Sequence, residues 1–125
     1  MATEEAWQSI EFFKPYEFDD PTKPNTGLLM DIEFVKILDR LRRFIGPIII
    51  TSGFRTLEHN NEIGGEFNSA HLRGLAADIS CRSSDQRYRI VTGARLVGIG
   101  RIGIADTFVH LDNDPSLPKD RIWTY

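Results

Sequence analysis

Apolar residues recur every three or four positions between residues 28 and 46, in the stretch LLMDIEFVKILDRLRRFIG. The apolar positions are Met30, Phe34, Ile37, Leu38, Leu41, Phe44 and Ile45. This spacing predicts an amphipathic α-helix that buries one stripe of its surface. Arg42 and Arg43 suit the negative end of the helix dipole, and Gly46 is a suitable C-cap residue.

Shorter apolar runs downstream have the β-branched composition or the two-residue alternation of strands. They predict strands in PIIITSG, GLAADISC, RIGIA and TFVHLDN, and we expect the first of these to be buried. TLEHNNEIGG predicts a short helix that two glycines stop, and SSDQRYRIVTGARLVG predicts a longer helix with Ser83 and Gln86 as a capping box. Helices mixed with short strands predict an α+β fold.

The two ends of the chain lack a clear period. Residues 1–27 are rich in prolines and turn-forming residues, so we expect an irregular lead-in that packs onto the domain through its aromatic side chains. The tail DPSLPKDRIWTY is also expected to be irregular, with Ile122 and Trp123 docked on the body of the protein.

Composition and charge narrow the possible functions. The chain has 125 residues, with 41% hydrophobic and 26% charged residues, which fits one globular domain. Its net charge of -3 gives no basic field for nucleic acid, and its helix-borne arginines are expected to face solvent. One cysteine excludes an internal disulfide. We expect synthesis in the cytoplasm without a signal peptide, and no membrane insertion, because no apolar run is long enough for either.

Two of the predicted strands carry polar residues on one face. In LAADISC, Asp78 shares a face with Ala76 and Ser80, while Ala77, Ile79 and Cys81 alternate toward the core. In TFVHLDN, His110 and Asp112 share a face opposite Val109 and Leu111. If these strands are neighbours, Asp78, His110 and Asp112 converge, and His71 reaches them from the preceding loop.

Two imidazoles and one carboxylate would leave one position of a tetrahedral zinc site open for water. Zinc lowers the pKa of that water, and a further carboxylate can act as general base; Asp112 and Asp106 are the candidates. From the residues alone, the histidines could equally be surface or capping residues. His59 has no ligand partner on its face of the predicted helix, and Cys81 is expected in the core.

The stretch SGFRT lies where the first predicted strand ends. Loops at strand ends commonly carry functional groups, and the guanidinium of Arg55 could bind a substrate carboxylate with two hydrogen bonds. A structural arginine that fixes a loop or the tail is an equally good interpretation.

Three motifs together resemble a known family. SAHLRGLAADIS fits the S-x-H-x-x-G-x-A-x-D signature of zinc peptidases that include D-Ala-D-Ala carboxypeptidases, D-Ala-D-Ala dipeptidases and phage L-alanyl-D-glutamate endolysins. ITSGFRT resembles that family's S-G-[YF]-R element, and TFVHLD resembles its F-V-H-V-D element, in the family's order. The Hedgehog signalling domain shares the family's fold.

The resemblance implies a zinc ion, one per chain, held by His71, Asp78 and His110. It also implies that Ser69 supports the site or touches substrate, and that Arg55 binds a carboxylate or carbonyl oxygen of the substrate. The implied fold is a single α+β domain over residues 1–125, with a central antiparallel sheet flanked by helices.

One departure concerns the general base. Many relatives have an acidic residue three positions before the last histidine ligand, where this chain has Thr107. Asp106 is one position away and would share a face with His110 in a regular strand. Short cell-wall members with the H-V-D ending match better, so we favour Asp112 over Asp106 as the base.

The resemblance implies a monomeric zinc metallopeptidase that cleaves peptidoglycan stem peptides. The bond would be either a terminal D-Ala bond or an L-Ala–D-Glu bond. A phage or prophage origin fits the small size, with release by a holin or transport in a virion. The alternative is a non-catalytic, zinc-stabilised module that binds cell wall or serves as a virion component.

Overall fold

The computed structural model describes residues 3–125, so Met1 and Ala2 of the predicted lead-in lie outside the described residues. Three α-helices and five strands follow one another along the chain: α1 (Ile32–Ile45), β1 (Ile50–Ser52), α2 (Leu57–Glu62), β2 (Ala76–Ser80), α3 (Ser84–Leu96), β3 (Arg101–Ile104), β4 (Phe108–Asp112) and β5 (Arg121–Thr124). Short 3-10 turns lie at Ala6–Ser9, Pro15–Phe18, Thr26–Leu29 and Ala70–Arg73. The predicted α+β class is confirmed.

The five strands form one sheet in the order β1-β2-β4-β3-β5. Neighbouring strands among the first four pair antiparallel, as expected. β5 pairs parallel with β3, so the prediction of an irregular tail was wrong for Arg121–Thr124, and the central antiparallel sheet carries one parallel strand at its edge. The backbone of Arg121–Thr124 forms hydrogen bonds with backbone groups that would otherwise stay unpaired at the β3 edge.

Helices cover one face of the sheet. The predicted inward positions of β2 and β4 are buried there, with Ile102 of β3, against apolar side chains of α1 and α3. The sheet contributes Ala77, Ile79, Ile102, Val109 and Leu111, and the helices contribute Phe34, Val35, Leu38, Leu41, Ile90 and Ala94. Cys81 is also fully buried, as expected. The other face of the sheet carries the polar residues described below.

Helix α1 begins later than its apolar pattern does. Asp31 accepts a hydrogen bond from the Phe34 N–H at 3.0 Å and so caps the helix, and Gly46 is the C-cap with φ of 93°. Phe44 is 62% exposed, which contradicts its place in the predicted buried stripe. The reason is angular, since Phe44 lies about 120° around the helix axis from Leu38, at the middle of the buried stripe.

Helix α3 has half of the predicted capping box. Ser83 Oγ accepts a hydrogen bond from the Gln86 N–H at 3.3 Å. The Gln86 side chain accepts from the Arg82 N–H at 3.0 Å, instead of from Ser83. The signal therefore marks the start of the helix correctly, while the reciprocal bond goes to the preceding residue.

The prediction of a buried first strand was wrong. β1 is a sheet edge, where Thr51 is exposed and Ile49, just before the strand, is 68% exposed. Its β-branched residues reflect strand propensity, which an edge strand shares with a buried one. Ile122 of β5 is also exposed, at 59%, so its predicted docking was wrong; β5 is the outermost strand of the sheet.

The lead-in is irregular apart from 3-10 turns, and it packs through Trp7, Phe13 and Phe18, as expected. Buried Asp20 ties it to the start of α2, because its carboxylate accepts from the Thr56 N–H at 2.7 Å and from the Thr22 N–H at 2.7 Å. Burial would raise the pKa of Asp20, but these hydrogen bonds outweigh it and lower the pKa to about 2.

Across residues 3–125, the helices are too short or too polar to pass through a lipid bilayer.

Candidate metal centre

The register of the sheet lines up one residue from each strand on the face that the helices leave open. Ser52 pairs with Asp78, Asp78 with His110, His110 with Gly103, and Gly103 with Trp123. The two strands that carry Asp78 and His110 are therefore direct neighbours, as the sequence required for a site. The polar side chains stand on the same strands whose other face forms the core.

His71 enters the site from the 3-10 turn before β2. Ser69 caps this turn, since its Oγ accepts from the His71 N–H at 3.2 Å, and Gly74 ends it with φ of 70°. His71 Nδ1 lies 2.8 Å from the carbonyl oxygen of Gly53. Because a carbonyl only accepts, Nδ1 carries the proton and Nε2 keeps its lone pair. That Nε2 lies 3.3 Å from Asp78 Oδ1.

His110 is held from the opposite side of the site. Its Nε2 lies 2.6 Å from Asp112 Oδ2, and its Nδ1 lies 2.9 Å from Asp78 Oδ1. A proton on Nε2 that is donated to Asp112 would leave Nδ1 free to act as a ligand. Both imidazoles thus have one nitrogen fixed by a protein acceptor and the other turned toward Asp78.

These three side chains fit a zinc ion. One ligand atom from each of His71, Asp78 and His110 lies within 4.8 Å of the other two, and all three residues are buried. Zinc bonds of about 2.0–2.2 Å place tetrahedral ligand atoms roughly 3.4 Å apart, so small side-chain adjustments suffice. Two imidazoles and a carboxylate are also a donor set that zinc prefers.

The charges within this group are strongly coupled. Burial would raise the pKa of Asp78, but the hydrogen bond from His110 and the close approach of His71 hold it well below its usual range. Burial would lower the pKa of His110, but its bonds to Asp112 and Asp78 raise it to about 9. A cation bound at this point would take the place of the proton that His110 carries.

Asp112 lies behind His110, next to the ring nitrogen that points away from Asp78. It is only 1% exposed. Its Oδ2 contacts His110, and its Oδ1 accepts from Arg101 Nε at 2.8 Å and from the Asp114 N–H at 3.2 Å. These contacts are those of a carboxylate that orients a histidine ligand.

Asp106 lies elsewhere. It is exposed in the turn between β3 and β4, because β4 begins at Phe108. The regular strand that would have put Asp106 on the face of His110 does not extend that far. Thr107, in the position of the relatives' acidic residue, is exposed in the same turn.

A model of the family described as Peptidase M15 matches residues 13–112. The chain belongs to this family of zinc D-Ala-D-Ala carboxypeptidase-like peptidases. A comparison of this chain with curated proteins found no significant match. The family resemblance inferred from the three motifs is confirmed, and the matched segment contains all three of them.

In this member of the M15 family, the S-G-F-R loop joins the lead-in to the candidate metal centre. Phe54 N–H donates to the Phe18 carbonyl at 2.8 Å, and Arg55 N–H donates to the His71 carbonyl at 3.1 Å. A Cβ on Gly53 would lie 2.6 Å from the Phe18 Cα, so only glycine allows this close approach. The glycine of the motif thus keeps its carbonyl within reach of His71.

The Arg55 guanidinium is fixed beside the site. Its Nη1 donates to Asn60 Oδ1 at 3.0 Å, and its Nη2 donates to Ser52 Oγ at 3.3 Å. Burial lowers the pKa of Arg55, although attraction to Asp78 and Asp20 opposes the shift. The side chain is therefore pre-oriented on the face that carries His110 and Asp78.

Two residues of the site were missed by sequence reasoning. Asn60, which is 1% exposed, holds Arg55, and no local pattern distinguishes it within the helix LEHNNE. Arg101 binds Asp112, and alternation in RIGIA does put it opposite the apolar Ile102. That signal could have found Arg101 only with knowledge that β3 pairs with β4. His59, on α2, lies outside the group of three potential ligands, as expected.

Proposed function

We propose that this M15 protein is a zinc metallopeptidase that hydrolyses amide bonds in the stem peptides of peptidoglycan. The observation that carries the proposal is the convergence of His71, Asp78 and His110 on the open face of the sheet. Family membership supports a metallopeptidase of this kind. We further propose that the whole chain acts as one domain and as a monomer.

In the proposed site, His71 binds zinc through Nε2, Asp78 through a carboxylate oxygen and His110 through Nδ1. A bound zinc ion supplies Lewis acidity, which polarises a carbonyl group and lowers the pKa of water. The hydrogen bonds of Gly53 and Asp112 to the two imidazoles fix the tautomers that this ligand set needs.

Arg55 is proposed to bind a carboxylate or carbonyl oxygen of the peptide. The bonds to Asn60 and Ser52 leave its remaining N–H groups for substrate. A pre-oriented guanidinium lowers the entropic cost of holding the scissile bond in place. Ser69 is proposed to support the site by capping the turn that presents His71.

We propose that one of two aspartates is the general base. Asp112 and Asp106 were the predicted candidates, and a base must come within hydrogen-bond reach of the proton that it removes. Asp112 is engaged by His110 and Arg101, which favours an orienting role, while Asp106 is exposed in a turn.

Two bonds remain candidates for the reaction: the terminal D-Ala bond and the L-Ala–D-Glu bond. The setting we propose is a phage or prophage enzyme that reaches the wall after release by a holin, or within a virion. Incubation of the zinc-loaded protein with a defined muropeptide, followed by mass spectrometry, names the bond directly. Loss of D-Ala alone identifies a carboxypeptidase, and separation of L-Ala from D-Glu identifies an endopeptidase.

The second candidate function is a non-catalytic, zinc-stabilised module that binds cell wall. The engagement of Asp112 by Arg101 and His110 favours it, because that carboxylate is not free for proton transfer. The deciding experiment measures release of peptides from purified peptidoglycan, with zinc and after chelation. Release that persists after complete zinc removal contradicts the peptidase proposal. Stoichiometric zinc without any release favours the binding module.

A further inference from the structure

Strand β5 lies beyond the segment that matches the M15 family, which ends at residue 112. It pairs along the whole of β3, with Ile102 opposite Ile122 and Gly103 opposite Trp123. Since alternate residues of a strand face opposite sides, Trp123 lies on the face of the metal centre and Ile122 on the other. The family match by itself therefore assigns no role to Trp123.

The indole of Trp123 lies directly over Gly103. A Cβ on Gly103 would lie 2.7 Å from Trp123 Nε1 and 2.8 Å from its Cε2, which is closer than atoms can approach. Gly103 is the residue between His110 and Trp123 in the line across the sheet. Its missing side chain lets the indole reach the next strand.

From that position Trp123 contacts two members of the site. The centroids of the Trp123 and His110 rings are 5.6 Å apart. The Arg101 guanidinium carbon lies 5.0 Å from the Trp123 ring centroid, in a cation–π contact. Arg101 in turn binds Asp112, and Asp112 binds His110. The indole thus packs against both ends of a chain of three hydrogen-bonded side chains.

We propose that Trp123 is a positioning residue of the metal centre, which covers the Arg101–Asp112–His110 chain and holds the His110 ring with Nδ1 toward the metal. The inference rests on the zinc site of the proposed function. A cover of this kind excludes water from the Arg101–Asp112 pair, which strengthens its hydrogen bonds. Outer partners of metal ligands typically change metal affinity by about 10–100-fold when they are altered.

The first test compares zinc affinities by competition with a chromophoric chelator at fixed pH. We expect Trp123→Leu to weaken zinc binding about tenfold, and Trp123→Phe, which keeps an aromatic ring, to restore most of that loss. Ile122→Ala is the matched control, since it alters the same strand on the opposite face and should leave the affinity unchanged. An unchanged affinity in Trp123→Leu overturns the proposal.

The second test separates positioning from a general loss of structure. Gly103→Ala leaves Trp123 in the chain but forces the indole away from the position where it covers His110. We expect Gly103→Ala to weaken zinc binding in the parent and to have little further effect in Trp123→Leu. Additive effects of the two substitutions would contradict a shared mechanism. The absorption spectrum of bound Co²⁺ should shift in Gly103→Ala and Trp123→Leu but stay unchanged in Ile122→Ala.

These measurements distinguish the inference from the proposed function. A parent protein that binds zinc but releases no peptide contradicts the peptidase proposal and leaves the comparison of affinities intact. A parent that releases peptide, with equal zinc affinity in Trp123→Leu, overturns the positioning role alone. A parent that binds no zinc overturns both.

Discussion

The two histidines of the site differ in what fixes them. His71 is oriented by the carbonyl oxygen of Gly53, a backbone group, whereas His110 is oriented by the Asp112 side chain. A side-chain substitution can therefore remove the partner of His110 but not that of His71. Substitutions around His110 should consequently be the more informative ones.

Loss of either histidine should remove the metal. We expect His71→Ala and His110→Ala to lose stoichiometric zinc and, with it, the thermal stabilisation that zinc gives the parent, because each removes one of three ligands. Elemental analysis after dialysis and thermal unfolding measure both effects. His59→Ala serves as the control and should retain zinc. Full zinc occupancy in both site variants would refute the ligand assignment.

Asp112 can be tested for its two possible roles. If Asp112 orients His110, the substitution Asp112→Asn should weaken zinc binding about 10–100-fold. If Asp112 is the general base, the same substitution should leave zinc affinity unchanged and abolish turnover. We expect the first result, from parallel measurements of zinc affinity and muropeptide hydrolysis.

Asp106→Asn provides the comparison for Asp112. We expect it to retain both zinc and turnover, because Asp106 is exposed in the turn before β4. Normal zinc affinity with abolished turnover in this variant would instead identify Asp106 as the base.

At the level of single residues, the sequence predicted where the key side chains would meet. Alternation in β2 and β4 put Asp78, His110 and Asp112 on one face, and the pairing of Asp78 with His110 agrees with this. The sequence could not reveal that Asp112 contacts Nε2 of His110, or that Arg101 donates a hydrogen bond to Asp112. Those contacts depend on strand register and on side-chain rotamers, which local patterns do not encode.

The secondary-structure elements differ in how well their patterns predicted them. Helix α1 and strands β2 and β4 have one apolar face and one polar face, so their periodicity was clear. Strand β5 has only four residues, and it follows a stretch with two prolines. Its existence depends on the free edge of β3, a tertiary condition that its own sequence does not express.

The attachment of the lead-in to α2 should weaken at low pH. The pKa of Asp20 is lowered to about 2 by hydrogen bonds in the folded protein, from an ordinary value of 3.8. Its contribution to stability is therefore present above about pH 4 and is lost as the pH falls toward 2. Denaturant unfolding between pH 6 and pH 2 should show a decline that is weaker in Asp20→Asn.

Asp20→Asn should also destabilise the protein at neutral pH, by about 1–3 kcal/mol, because the N–H groups of Thr22 and Thr56 lose a charged acceptor. Asp106→Asn, which alters an exposed carboxylate, is the control and should leave the pH dependence unchanged. An identical acid profile in the parent and in Asp20→Asn would argue against this link.

At the scale of the whole molecule, one sheet supports both the core and the candidate site. Its one face packs against the helices, and its other face carries the polar residues. The core joins side chains from Trp7 in the lead-in to Leu111 in β4. The sequence predicted the class of fold because helices and strands alternate with clear patterns. It did not predict which strand lies at each edge, since edge and central strands share the same composition here.

Zinc should stabilise the folded protein as a unit. A ligand that binds only the folded state adds about 2.7 kcal/mol at a free concentration of 100 times its Kd. For a domain of this size we expect the Tm to rise by roughly 10 °C. Differential scanning calorimetry with zinc and with chelator measures the shift, and no shift in a protein that binds zinc would show that binding is not coupled to folding.

The opposite faces of β2 and β4 have a consequence for evolution. Neighbouring codons in these strands are under different selection, since Ala77, Ile79, Val109 and Leu111 are completely buried in the core while Asp78 and His110 face the metal centre. A saturation library assayed separately for abundance and for zinc-dependent activity should give two tolerance profiles with a period of two, one offset from the other by a single residue. Selection on activity would then act at every second position, while the alternate positions preserve the fold.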